Sequence, residues 1–198
     1  MSNVVKVTPR PPGRPRSEGA KQAILEAAYS LLRKGGITSA SSDELARAAG
    51  VSKATLYRWW KTKEAIMLDA FFEKMRPALP YEADGSPLEA LRRNVVRGAA
   101  WLQSEDGRIA VRLISEVYED PKLRRLFLDH FYLPRRALQV QLIQAAIAAG
   151  ELRRDTDAEV LVDALQGPLY FRFLIGHAAL DKAFATKMVT MVLKSVTA

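Results

Sequence analysis

An all-α protein in two parts, a small helix-turn-helix unit followed by a larger helical unit, is what this sequence predicts, and three observations predict it. Residues 41–60, SSDELARAAGVSKATLYRWW, place each residue type where a helix-turn-helix needs it. No segment sustains the alternating apolar and polar pattern of a strand, whereas apolar residues recur at three- and four-residue steps along most of the chain. Charge is the third: the chain carries +8, residues 1–63 hold 12 Lys+Arg against 4 Asp+Glu, and residues 64–198 hold 18 of each. All the excess positive charge thus lies on the part that contains the helix-turn-helix, as an electrostatic footprint for a polyanion requires.

The elements follow in order. Residues 1–16 contain Pro9, Pro11, Pro12 and Pro15 with Lys6, Arg10, Arg14 and Arg16 and no acid, so they are expected to form a disordered basic arm. Gly13-Arg14-Pro15 is also the core of an AT-hook, whose arginine enters a narrow A·T-rich minor groove; the alternative is a solubilising tail. From Ser17, the apolar positions Ile24, Leu25, Ala28, Leu31 and Leu32 give a first helix that ends at Gly35-Gly36. Ser41 and Glu44 fit a capping box, so Ser41 is expected to cap the second helix, with Leu45 and Ala46 on its buried face. Gly50 suits the turn, where positive φ costs a residue without Cβ almost nothing. Val51 plugs the corner, Ser52 caps the next helix, and Leu56 and Trp60, four apart, hold that helix on the core.

What this leaves exposed is Lys53, Ala54, Thr55, Tyr57 and Arg58, a set able to bind phosphates and read base edges of double-stranded DNA, with Ala54 allowing close backbone approach. Tyr57, through its hydroxyl, and Lys63, at the start of a fourth helix, are assigned to phosphates; Lys53 and Thr55 are assigned to bases. Ser41, Arg14 and Arg16 complete the predicted DNA-binding set. The fourth helix carries Ile66, Met67, Ala70 and Phe71 and ends before Pro77 or Pro80, closing a DNA-binding domain over 17–77.

The aperiodic stretch 78–86 marks a boundary, and residues 78–198 form the second domain. Helices are expected from Pro87 to about Ser104 and from about Gly107 to Glu119. A long one from Pro121 to Ala149 is expected to kink at Pro134. Another, capped by Asp157, reaches about Gly176 and is interrupted by Gly167-Pro168, and a last runs from Asp181 to about Val196. The aromatics Trp101, Tyr118, Phe127, Phe131, Tyr132, Tyr170, Phe171 and Phe173 are expected in an interior. Among the polar residues between them, Arg112, Glu116, His130, Gln166, Tyr170 and His177 are candidates to orient a ligand beside Trp101 in an apolar pocket. Phe184, Met188, Met191 and Val192, with Leu161, Leu165, Leu169 and Phe173, are expected to form a subunit interface of four packed helices.

Several function classes drop out. The chain of 198 residues, 48 % hydrophobic, can bury a core but has no cysteine, hence neither disulfides nor thiolate metal sites. With only His130 and His177 and none of the catalytic or phosphate-binding motifs, neither an enzyme nor a metal site nor a cofactor is expected. No signal peptide and no apolar run near the roughly 18 residues of a membrane span is present, so a cytoplasmic protein without a membrane partner is expected.

A basic GRPR leader, AILEAAYSLL in the first helix, Gly36 with a capping Ser41, and ARAAGVSKATLYRWWKTKEAI resemble the tetracycline-repressor (TetR) family of transcriptional regulators over about residues 14–68. LRRLFLDHFYLPRRAL and GELRRDTDAEVLVDALQGPLYFRFL are similar to one group of ligand domains in that family. Ser42 stands where the family usually has an apolar residue, and Trp59 where a histidine is frequent. The resemblance implies three N-terminal helices as the DNA-binding domain, and a C-terminal helical domain that dimerises and encloses a small-molecule effector. Two recognition helices of a homodimer would enter successive major grooves of a pseudo-palindromic operator, and a ligand would shift the fourth helix and release the DNA. The rivals are an architectural DNA binder without a ligand, which would prefer only A·T content, and a ligand-binding helical module or enzyme without salt-sensitive DNA binding.

Overall fold

The computed structural model describes residues 15–38, 40–78, 80 and 82–197, with side chains from Glu18 onward, and among these the chain is built of helices. In order they are α1 (Pro15–Gly35), α2 (Ser42–Ala48), α3 (Lys53–Trp59), α4 (Lys63–Ala78), α5 (Pro87–Leu102), α6 (Glu105–Glu119), α7 (Pro121–Phe127), a π-helical turn (Leu128–Tyr132), α8 (Leu133–Ala148), α9 (Ala158–Ile175) and α10 (Lys182–Lys194). The extended pairing seen among the described residues is one antiparallel bridge between Leu152 and Thr197, beside which the Arg153 N–H donates to the Val196 carbonyl at 2.9 Å.

The boundaries follow local chemistry. Proline suits the first position of α1 because its missing N–H would have no helical acceptor there, so α1 begins at Pro15 and takes Arg16 into its first turn, two residues earlier than expected. The rest of the expected arm, residues 1–14 with Arg14, lies outside the described residues. Ser86, Ser104, Asp120, Asp157 and Asp181 each accept a backbone N–H at the start of the helix they precede.

Two expectations for the second half are corrected. The helix expected from Pro121 to Ala149 is divided by the π turn at 128–132, just ahead of Pro134; a ring that clashes one turn back and supplies no N–H is accommodated by widening that turn. Conversely α9 runs through Gly167-Pro168 without interruption. The clash by which a proline expels its predecessor from helical geometry involves that residue's Cβ, and Gly167 has none.

Two apolar clusters hold the molecule. The first unites α1–α4 (Ile24, Leu32, Leu45, Leu56, Ile66, Phe71) with Ile109, Ala110, Leu113, Val117 and Leu123 of α6 and α7. The second gathers α5, α8, α9 and α10 around Leu91, Ile143, Leu165 and Leu193. Trp101 packs against both. The stretch after α4 is strapped down: Asn94 exchanges two hydrogen bonds with the Glu82 backbone, at 3.2 and 2.7 Å, and Arg97 pairs with the Glu82 carboxylate at 2.6 Å.

Candidate nucleic-acid interface and interior cavity

The helix-turn-helix is assembled as its residues dictate. Ser41 accepts the Glu44 N–H at 3.1 Å while the Glu44 carboxylate accepts the Ser41 N–H at 2.9 Å, a complete capping box. The Ser41 backbone N–H first, and second its hydroxyl, which also donates to the carboxylate at 3.2 Å, hold the Glu44 carboxyl below its ordinary pKa. Gly50 takes φ of 65°, and the Val51 N–H returns to the Ala46 carbonyl at 3.0 Å. Ser52 then caps α3 through the Thr55 N–H at 3.2 Å. Leu56 and Trp60 are buried, and the Trp60 indole donates to Asp69 of α4 at 2.8 Å, fixing the pitch of α3 on the core.

On the opposite side of α3, Lys53, Ala54, Tyr57, Arg58 and Trp59 are exposed, and Thr55 is half-buried with its hydroxyl 2.9 Å from that of Ser52. Lys53 pairs with Asp43 of α2 at 2.8 Å, both side chains more than half exposed, so the pair is open to exchange for a phosphate. Tyr57 shares a hydrogen bond with Ser42 at 2.6 Å. Ser42, the first residue of α2, thereby positions the phenol. Trp59, flanked by Arg58 and Lys21 at 5.5 and 6.0 Å from its ring, adds an aromatic face to a basic rim. Lys63 departs from expectation: its ammonium donates to the Ala40 carbonyl at 2.7 Å, lies 3.6 Å from Glu64, and its side chain is only 17 % exposed. It braces the loop ahead of α2 rather than reaching outward.

Between α4, α5, α6, the π turn, α8 and α9 lies a cavity of about 90 Å³. Three expected pocket residues, Trp101, Gln166 and Tyr170, line it. The others do not. His130 and His177 are exposed, the latter tilted against Phe171 at 5.3 Å between ring centres, and Arg112 is exposed beside Gly36. Glu116 points the other way, accepting the Ile37 N–H at 2.9 Å. Further polar lining comes from Tyr132, expected in an interior, and from Asn94, Arg135, Arg136 and Gln139, which sequence reasoning missed. Arg135, Arg136 and Gln139 share a helix face, a spacing visible in the sequence once a turn is placed ahead of Pro134. Arg136 is tied to Glu159 at 2.7 Å and to Asp163, and these two carboxylates raise its pKa. Gln166 donates to Gln139 at 3.2 Å. Burial raises the Tyr170 phenol, and Arg135 opposes that shift.

The same helix that walls the cavity grips α1 and the loop before α2. From one side of α6, Ala110, Leu113 and Ile114 face the cavity. From elsewhere on it, Asp106 accepts from Tyr29, Glu105 pairs with Arg33, and Glu116 holds Ile37.

The expected subunit interface is corrected in its residues. Leu161, Leu165, Leu169 and Met188 are buried inside the second cluster of the single chain, at most 6 % exposed, while Phe173, Phe184 and Val192 are half-buried against it. Of the expected set only Met191, 69 % exposed, faces fully outward. What α9 presents is Val160, Phe171, Leu174 and Ile175. Tyr118 and Phe171, expected inside, are exposed, and Arg124 stacks over Tyr118 at 5.4 Å. Among the described residues no group of His, Cys, Asp and Glu could hold a metal ion, and no helix is long and apolar enough to cross a membrane.

Residues 24–70 match the family described as bacterial regulatory proteins, tetR family, and residues 82–192 match the tetracyclin repressor-like C-terminal domain. The chain is 36 % identical over 186 residues to the HTH-type transcriptional regulator YdeS of Bacillus subtilis (strain 168), covering 94 % of each. Among solved structures it is similar to the TetR family transcription regulator SCO0332, at 32 % identity and a TM-score of 0.75, covering 89 % of this chain and 98 % of that one. It is also similar to the flavonoid-responsive regulator FrrA, at 26 % identity and a TM-score of 0.68, covering 90 % and 97 %.

Proposed function

Since the chain belongs to the tetR family of bacterial regulatory proteins, and is thus a DNA-binding transcriptional regulator and not an enzyme, we propose that it is a one-component repressor released by a small molecule. It acts as a homodimer in the cytoplasm, holding a pseudo-palindromic operator with two α3 helices, and gives up the DNA when an effector fills the cavity. The observation that carries this reading is the double role of α6, which walls the cavity and grips α1 and the loop before α2. At about 90 Å³ the cavity is smaller than the roughly 150 Å³ that admits benzene without rearrangement, so a larger effector has to displace its walls. Displacing α6 moves the helices it holds, and with them the separation of two recognition helices. That one similar regulator is named flavonoid-responsive supports a small-molecule signal.

Electrophoretic mobility and sedimentation with DNA from upstream of the protein's own gene test the reading. Two protomers per site, affinity falling steeply with salt, and preference for one sequence over random DNA of equal A·T content are expected. Binding that follows A·T content alone, or a single protomer per site, would overturn it.

A further inference from the structure

Resting on the reading of the cavity as an effector site, we infer that the effector is an amphiphile, with an apolar body against α4, α5 and α6 and one end bearing a hydroxyl or carbonyl oxygen that bonds to the Tyr170 hydroxyl. The cavity has unlike walls. Phe71 of α4, Leu91 of α5 and Leu113 of α6 are typical of a largely hydrocarbon side. The polar lining is concentrated on the other helices: Tyr132 ends the π turn, Arg135, Arg136 and Gln139 belong to α8, and Gln166 and Tyr170 to α9. Steps of three and four residues put these groups on one stripe of each helix. Asn94 of α5 is the exception, and its amide is taken by the Glu82 backbone.

Most of the polar stripe is engaged within the protein. Gln139 accepts from Gln166 at 3.2 Å, and Arg136 donates to the Tyr132 hydroxyl at 3.2 Å besides pairing with Glu159 and Asp163. Among the described residues the Tyr170 hydroxyl has no hydrogen-bond partner, and its oxygen, unlike the sealed Trp101 Nε1 and Thr156 Oγ1, keeps open surface. That surface lies inward. Burial is the leading cause that raises the phenol's pKa, which sets the oxygen apart from bulk water, and the groups it senses, Arg135 and Tyr132, both line the cavity. A phenol donates and accepts, so it can meet a hydroxyl in either sense and a carbonyl as donor. Its desolvation is a cost of folding, so a ligand oxygen that reaches it gains a bond that a hydrocarbon cannot make.

Three probes separate the two ends of such a ligand: ethylbenzene, with no oxygen; 4-ethylphenol, with one; and hydroquinone, with an oxygen at both ends and no apolar tail. Titration calorimetry on the full chain should show 4-ethylphenol binding at least as tightly as ethylbenzene, although water holds the phenol more strongly, and hydroquinone binding about tenfold more weakly than 4-ethylphenol. Tyr170→Phe keeps the ring and removes the hydroxyl, and the ratio of the 4-ethylphenol to the ethylbenzene affinity should fall about tenfold in that variant. An unchanged ratio, hydroquinone binding as tightly as 4-ethylphenol, or no binding of either ethyl probe would overturn the assignment. Should the variant fold poorly, the unaltered protein decides: ethylbenzene binding more tightly than 4-ethylphenol overturns it alone. Release of operator DNA is scored separately in mobility shifts. Binding with the Tyr170→Phe signature but no change in DNA affinity supports the pocket chemistry and counts against the release reading; release by ethylbenzene with the ratio unchanged in the variant does the reverse.

Discussion

At the scale of residues, short-range chemistry decides most of the DNA-reading face. Ser41, Gly50, Ser52, Leu56 and Trp60 each act on backbone or core within a few positions, which is why the arrangement of α2 and α3 was legible in the sequence. Lys63 was not, because its acceptor is the carbonyl of Ala40, distant along the chain. Its substitution tests the difference: Arg58→Ala should lower the slope of log affinity against log salt by about one unit, and Lys63→Ala by clearly less. Equal losses would return Lys63 to the phosphates. Tyr57→Phe should weaken binding to all sequences alike, the outcome expected of a hydroxyl, set by Ser42, that is assigned to phosphate rather than to bases. The capping box titrates as well. A carboxyl held below its ordinary value contributes stability that is complete above the unfolded pKa of about 4.3 and is lost as pH falls through the folded one. Glu44→Gln should flatten the decline of melting temperature as pH falls below about 4, and Ser41→Ala should cost about 1 kcal/mol near neutrality.

At the scale of elements, α6 concentrates the consequences. Its first turn touches the end of α5 so closely that a Cβ on Gly107 would lie 1.9 Å from the Leu102 carbonyl oxygen. Gly107→Ala should therefore cost roughly 2–3 kcal/mol, a fall in melting temperature of roughly 5–10 °C. Near its other end, Gly36 sits at φ of 90°, and a Cβ there would lie 2.2 Å from the Glu116 carboxylate. Glu116→Ala should leave DNA affinity and ligand affinity near their parent values while reducing the effect of ligand on DNA affinity. Undiminished coupling in mobility shifts with saturating ligand would show that α6 transmits nothing through Ile37. Helix existence was readable throughout from apolar spacing, but which side of α9 faces inward was not. Its residues are apolar on nearly all sides, so spacing alone fits Leu161, Leu165 and Leu169 to either face, and only packing against α5, α8 and α10 chooses. The pocket failed for a related reason: Glu116 and His130 lie near the right aromatics in sequence but on sides of their helices that face away from the cavity, and His177 lies in the link after α9.

At the scale of the whole molecule, the apolar surface of α9 and Met191 calls for a partner, and the predicted one is a second copy. Phe171→Glu with Ile175→Lys should give folded monomers in sedimentation that no longer hold the operator, whereas Leu169→Glu, placed in the core, should unfold the protomer. A dimer that survives the first pair would put the interface elsewhere. Finally, the first apolar cluster joins residues from Ile24 to Met75 with others from Ile109 to Leu123. On the ribosome the DNA-reading helices emerge first, yet the side chains that complete their core follow only after the intervening stretch, a delay of a few seconds at about 5–20 residues per second. A nascent chain therefore has no finished core beneath its DNA-binding helices until part of its C-terminal half has been made, so the two halves mature together rather than one after the other.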